Sequence, residues 1–192
     1  MTGLQNGRHG RGHFMRSILK ELLAWLMVIA VGVAASYLVV TFVGQRTQVS
    51  GESMETTLSD GDHLIVDKIS YRFNEPQRYD IIVFPYRLEK NTYYIKRIIG
   101  LPGETVQVVD GYVYINGVQL DEHYGNDVMN EAGLAAEPLT LGPDEYFVLG
   151  DNRNNSQDSR TANVGVIHRD EVLGRAWVRI WPLSDFGVIK HE

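Results

Sequence analysis

The sequence predicts a mainly β, antiparallel domain behind one N-terminal transmembrane helix. Three observations carry that reading: an uncharged apolar run from Leu22 to Val43, short β-branched and aromatic runs after Gly44, and two turn dipeptides that join three of those runs. With 192 residues the chain has room for one domain with a sizeable core plus an anchor. Its 44% hydrophobic and 22% charged residues are the proportions of an ordinary folded chain.

From Met1 to about Phe14 the chain is polar, Gly-rich and unpatterned, and is expected to be a mobile tail. His9-Gly10-Arg11-Gly12-His13 is not expected to be helical. The 22 uncharged residues Leu22 to Val43 would span about 33 Å as a helix, enough for a bilayer's hydrocarbon core. Trp25 and Tyr37 lie toward its ends, where amphipathic rings suit the interface. A cleaved secretory signal is the alternative, since Ala34, Ala35 and Ser36 are small. The apolar run, however, continues through Tyr37-Leu38-Val39-Val40, beyond such a cut, which favours a retained anchor. Arg8, Arg11, Arg16 and Lys20 precede the run and face only Glu21. The positive-inside rule therefore assigns residues 1–16 to the cytoplasm, 17–44 to the anchor, and 45–192 to a β-rich domain outside.

Beyond Gly44 the pattern becomes strand-like. His63 to Val66, Asp80 to Phe84 and Thr92 to Ile95 are bounded by turn residues. Thr105 to Val109, Tyr112 to Ile115 and Val118 to Leu120 are separated by Asp110-Gly111 and Asn116-Gly117. Those dipeptides supply the positive φ angles of two-residue hairpin turns, so the three runs form a meander. Asp121 to Glu137 is polar and reads as a loop or insertion, followed by strands over Glu145 to Leu149 and Gly174 to Trp181.

Charge argues against nucleic acid as a partner. Four of the 18 Lys and Arg precede the apolar run but only one of the 24 Asp and Glu does, so the β-rich part is strongly acidic. The absence of cysteine removes disulfides, thiolate metal sites and a cysteine nucleophile. His9 and His13 have the one-turn spacing of a zinc hydrolase but lack the glutamate between them, and no cofactor is expected.

Three segments hold side chains that packing explains poorly. In Ser50-Gly51-Glu52-Ser53-Met54, Ser53 is either a turn serine or a nucleophile. In Tyr94-Ile95-Lys96-Arg97, strand alternation turns either Lys96 or Arg97 toward the covered face. A buried lysine tends to lose its charge, and a neutral amine is what a general base requires. Gly150-Asp151-Asn152-Arg153 through Asp158-Ser159-Arg160 is either a rigid polar loop or part of a site.

In order and wording these segments resemble the bacterial type I signal peptidases, membrane-bound serine endopeptidases with a Ser/Lys dyad, and in particular the Gram-positive type. Arg78 to Phe84 and Ile99-Gly100-Leu101-Pro102-Gly103 add to the likeness, which runs from the anchor to about Trp181. The resemblance implies an antiparallel signal-peptidase-like fold, Ser53 as nucleophile and Lys96 as base. It also implies that Ser156 hydrogen-bonds the lysine, that Asp158 and Arg160 form a supporting ion pair, and that the Ser53 N–H holds the oxyanion. One position departs from the pattern, Thr56 in place of a usual proline; Gly51, as in many Gram-positive-type members, offers no hydroxyl where some relatives have serine as a second oxyanion donor.

The expected partners are membrane lipid and the signal peptides of secretory precursors, cut after small residues in an Ala-X-Ala pattern. The substrate would lie as an extended strand between Gln48, Val49, Ser50 and Gly51 on one side and Tyr93, Tyr94 and Ile95 on the other. Two rival readings share parts of this pattern. One is a self-cleaving Ser/Lys peptidase of the repressor type, which the anchor argues against. The other is a membrane-tethered β domain that binds extracytoplasmic peptides without cutting them.

Overall fold

The computed structural model describes residues 9–42, 44–125 and 127–191, in two compact units that divide between Val43 and Gly44. The expected tail over Met1 to Arg8 lies outside the described residues. The first unit is helix α1, His9–Phe42, whose segment Ile18–Tyr37 is long and apolar enough to cross a membrane. The helix includes His9 to His13, contrary to expectation. Extending a formed helix adds a hydrogen bond per residue without a new nucleus, which offsets a glycine penalty of about 1 kcal/mol.

The second unit is antiparallel β. Its strands are β1 (Gly44–Gln48), β2 (His63–Asp67), β3 (Ile81–Pro85), β4 (Tyr93–Gly100), β5 (Thr105–Val109) and β6 (Tyr112–Ile115). They continue as β7 (Val118–Gln119), β8 (Leu139–Thr140), β9 (Glu145–Leu149), β10 (Ile167–His168), β11 (Gly174–Trp181) and β12 (Gly187–Val188). Among the described residues the large sheet has the order β1-β2-β11-β3-β4-β9-β10, with β12 paired to β11, and the small one the order β7-β6-β5-β8.

The meander forms as its dipeptides predict. Asp110, Gly111, Asn116 and Gly117 all have positive φ, and the pairs Val109–Tyr112 and Ile115–Val118 close two-residue turns. Runs of β-branched residues then bury alternate side chains, as in β5, where Val106 and Val108 point inward. These join Ile99, Phe147 and Leu149 in a core between the two sheets. The segment Asp121 to Glu137, polar in sequence, contributes Met129 and Ala135 to the same core.

Both faces of the central strands are covered. Ile82, Phe84, Ile98 and Val148 pack with Tyr71 and Val164 on one side, while Ile81, Leu64 and Ala176 pack with Val49, Met54 and Leu58 elsewhere. The C-terminal segment straps this second cluster: Ile189 N–H donates to Trp177 O at 2.9 Å, and Ile81 N–H donates to His191 Nδ1 at 3.0 Å. Burial, aided by Arg175, pushes the His191 ring down to about 4, so it is neutral at physiological pH. Its 3.8 Å approach to Asp80 is therefore not an ion pair there.

Replacing Ile98, fully buried at the centre of β4, with alanine should lower the unfolding free energy by about 2–5 kcal/mol. Val118→Ala, on an exposed hairpin edge, should change it by less than about 0.5 kcal/mol. Denaturant titration of the two variants checks the contrast.

Candidate active site

The site is assembled where three chain segments meet. The segment after β1 makes a compact turn: Glu55 N–H donates to Glu52 O, and the N–H groups of Thr57 and Leu58 both donate to Met54 O. Met54 and Leu58 are buried and anchor this turn, while Ser53 is half-exposed between them and solvent. Thr56 is exposed, and the turn's closing bonds are made by its neighbours.

The second segment is β4. Lys96 pairs with Ile82 across the ladder and Arg97 with Leu149, so their side chains lie on opposite faces of the strand. Alternation alone predicts that one of them is covered, yet both are: Lys96 is 4% exposed and Arg97 is fully buried. The reason is that this strand has packed layers on each face.

Lys96 Nζ donates to Ser53 Oγ at 2.7 Å and to its neighbour's carbonyl, Ile95 O, at 2.9 Å. Burial lowers its pKa from 10.5 to about 8, against the opposing pull of Asp158 and Asp151. At pH 7 roughly one molecule in ten then carries a neutral amine, compared with well under 0.1% for an ordinary lysine. In the neutral form the same short contact lets the hydroxyl donate to the amine's lone pair.

The third segment follows β9 and grips the other two. Asn152 N–H donates to Ser53 O at 3.1 Å, and Asn152 Nδ2 donates to Glu52 O at 3.2 Å. Gly150 is needed there for space, because a Cβ would stand 2.4 Å from Ser53 O and 2.3 Å from Ser156 Oγ. Asp158 is fully buried and accepts from Arg160 Nε at 2.8 Å and Nη2 at 2.9 Å, forming the expected pair. Ser156 differs from expectation. Among the described residues its Oγ is buried without a partner, so the anticipated bond to Lys96 is not made, and Ser53 and Ile95 O hold the amine instead.

The motifs imply no role for Arg97 and Asp151, although both stand within the segments that carry the resemblance. Arg97 Nε and Nη2 donate to the two Asp151 oxygens at 2.8 and 2.7 Å, with both side chains fully buried. Thr57 Oγ1 donates to Asp151 at 2.6 Å, which ties the Ser53 turn to β4 and the third segment at once. The available signal was a second cation beside Lys96 in an otherwise apolar strand.

Ser53 and Lys96 open into a cleft of about 450 Å³. Gln48, Val49, Ser50 and Gly51 line it, as do Tyr93, Tyr94 and Ile95, and Ser156 borders it. On its β9 side β4 is paired only from Arg97 to Gly100, so Tyr93 to Ile95 presents an unpaired edge among the described residues. A hydroxyl held against a largely dehydrated amine, beside an open strand edge, is the arrangement of serine peptidases that use lysine in place of histidine.

Comparison with known proteins agrees with that class. The family model described as signal peptidase, peptidase S26, matches residues 21–181. The chain is 43% identical over 173 residues to a signal peptidase I of Leptolyngbya laminosa, covering 86% of this chain and 83% of that protein. It is 40% identical over 179 residues to the probable signal peptidase I-2 of Synechocystis sp., covering 91% and 77%. Against signal peptidase IB of Staphylococcus aureus the identity is 34% over 188 residues, covering 90% and 95%. The chain belongs to the signal peptidase family, peptidase S26, and is a serine endopeptidase.

Asp151→Asn, which strands Arg97 without a counter-charge, should destabilise the fold by about 3–5 kcal/mol. The double change Arg97→Met with Asp151→Leu should recover most of that loss, as measured by denaturant unfolding.

Proposed function

We propose that the protein is a membrane-anchored signal peptidase that cuts secretory precursors after small residues, with Ser53 as nucleophile and Lys96 as general base. The observation that carries this reading is the 2.7 Å contact between Lys96 Nζ and Ser53 Oγ in surroundings dry enough to lower the amine's pKa to about 8. The names of the family and of the relatives supply the substrate class, signal peptides. Anchoring rests on the apolar segment Ile18–Tyr37, and the orientation, N-terminus cytoplasmic and β domain outside, on the basic residues before it. By the same reading residues 1–16 form the cytoplasmic tail and 17–44 the anchor.

The steps follow from these groups. The precursor adds an extended strand along Tyr93 to Ile95, with Gln48 to Gly51 on its other side. Ser53 Oγ attacks the scissile carbonyl carbon as its proton passes to Nζ, and the carbonyl oxygen becomes an oxyanion. Among the described residues the Ser53 N–H has no acceptor and is free to bind it, whereas Gly51 N–H is occupied by Asp60 Oδ1 at 2.8 Å. The ammonium then gives its proton to the departing amine, leaving a Ser53 ester. Water attacks that ester with Lys96 again taking the proton, and the signal peptide leaves with a new carboxylate. Asp158 and Arg160 hold the segment that carries Ser156.

Ser53→Ala and Lys96→Ala should each abolish trimming of a precursor with an Ala-X-Ala site while the far-UV spectrum is kept. Full turnover by either variant would exclude the dyad. A protein that binds the precursor and yields no product would be a tethered peptide-binding domain.

Because only the neutral amine acts as base, kcat/KM should rise with pH and level off above about pH 8. The same shift opposes folding. The folded-state value lies below the ordinary 10.5, so the penalty is full below about pH 8 and fades as pH rises toward 10.5. Lys96→Met should therefore be more resistant to denaturant than the parent at pH 7, an advantage that disappears above pH 10.5.

A further inference from the structure

One wall of the cleft is a single aromatic ring held by a residue with no assigned role. Tyr94 and Lys96 share a face of β4, and Nζ lies 5.1 Å from the centre of the Tyr94 ring. The same amine is 2.7 Å from Ser53 Oγ, so the ring and the attacking hydroxyl both flank Lys96 Nζ in the cleft. On its far side the ring stacks on Tyr86, with centroids 4.4 Å apart and planes 8° from parallel, and meets the edge of Phe84. Tyr86 is itself fixed, its N–H donating to Thr92 O at 2.8 Å across the β3–β4 hairpin.

Stacking leaves a phenol free to slide within its plane, and here the hydroxyl removes that freedom. Tyr94 OH donates to Gln157 Oε1 at 3.0 Å, a bond that joins β4 to the segment following β9. The acceptor stands on a rigid base. Gln157 lies between Ser156 and Asp158, and Asp158 is locked by Arg160 and by the Gly150 N–H at 3.2 Å. Burial raises the pKa of the Tyr94 phenol, so it remains a donor across the working pH range.

We propose that Gln157 is a specificity-determining positioning residue: it clamps the Tyr94 ring across the cleft and so limits the size of the side chain accepted immediately before the scissile bond. The proposal rests on the Ser53/Lys96 peptidase reading. It adds a physical source for the preference for small residues. The ring wall is held from two directions, by Tyr86 behind it and Gln157 at its tip, and cannot retreat to admit a branched side chain. Without the tip contact the ring is held only by stacking and can move.

The test uses the full chain in detergent micelles and two precursors that differ only in having alanine or valine before the cut. The readout is the ratio of their kcat/KM values, for which even one extra methylene is worth about 10–200-fold in a hydrophobic pocket. Gln157→Ala should lower that ratio about ten-fold relative to the parent, and Tyr94→Phe should do the same. The double variant should show no more than either single change, because both break one contact. Gln157→Glu, which keeps an acceptor, should restore the parental ratio. An unchanged ratio in Gln157→Ala, or additive effects in the double variant, would overturn the proposal. Failure of the parent to cut even the alanine precursor would instead refute the peptidase reading, and this inference with it.

Discussion

A lysine amine that must be neutral near physiological pH has to be kept from water and from uncompensated negative charge at once. Lys96 meets the first requirement by lying in a strand covered on both faces. The second is harder, because two carboxylates, Asp158 and Asp151, are near enough to raise its pKa. Each of them is matched by its own guanidinium, Asp158 by Arg160 and Asp151 by Arg97. Each carboxylate is thereby held in an ion pair, and burial outweighs the upward pull that both still exert on the Lys96 amine. Ion pairs in this domain therefore serve the chemistry as much as the fold. Buried pairs of this kind add little stability over apolar packing.

The same pairs fix geometry. Asp151 is bound by Arg97 on β4 and by Thr57 in the turn after Ser53, so one carboxylate ties together the segments that carry Lys96 and Ser53. Asn152 adds a backbone grip on Ser53, and Gly150 leaves the space for it. Arg153 contributes from the other side, pairing with Glu122 at 2.6 Å and donating to Gly150 O at 3.0 Å. The 2.7 Å contact between two flexible side chains is maintained because Ser53 O is bonded to Asn152 and Arg97, next to Lys96, is bonded to Asp151 in the same segment.

Much of this could be read from the residues. Asp110-Gly111 and Asn116-Gly117 fixed two turns because their φ requirement is local. The alternation in β5 and β11 gave strands for the same reason, and the apolar run gave the helix. What escaped depends on distant partners. Whether Arg97 is exposed cannot be told from β4, since that turns on a second layer supplied by other strands. Met129 and Ala135 enter the core from a segment whose local composition is that of a loop. β1, β8, β10 and β12 exist because neighbours offer unpaired edges, not because their own sequences demand extension. In the site, the pairing of Lys96 with Ser53 and of Asp158 with Arg160 followed the motifs. The orientation of Ser156 did not, because a hydroxyl's partner is decided by ångström-scale placement.

The chemistry depends on Lys96 losing its proton far more readily than a solvated lysine. Selective 13C labelling of lysine, with the Lys96 signal assigned by comparison with Lys96→Met, would follow its Cε shift directly as pH is raised in the full-length protein. A midpoint at about 8 is the result this account requires. A midpoint at about 10.5, the ordinary value, would mean that the amine is hydrated and charged, and would contradict it.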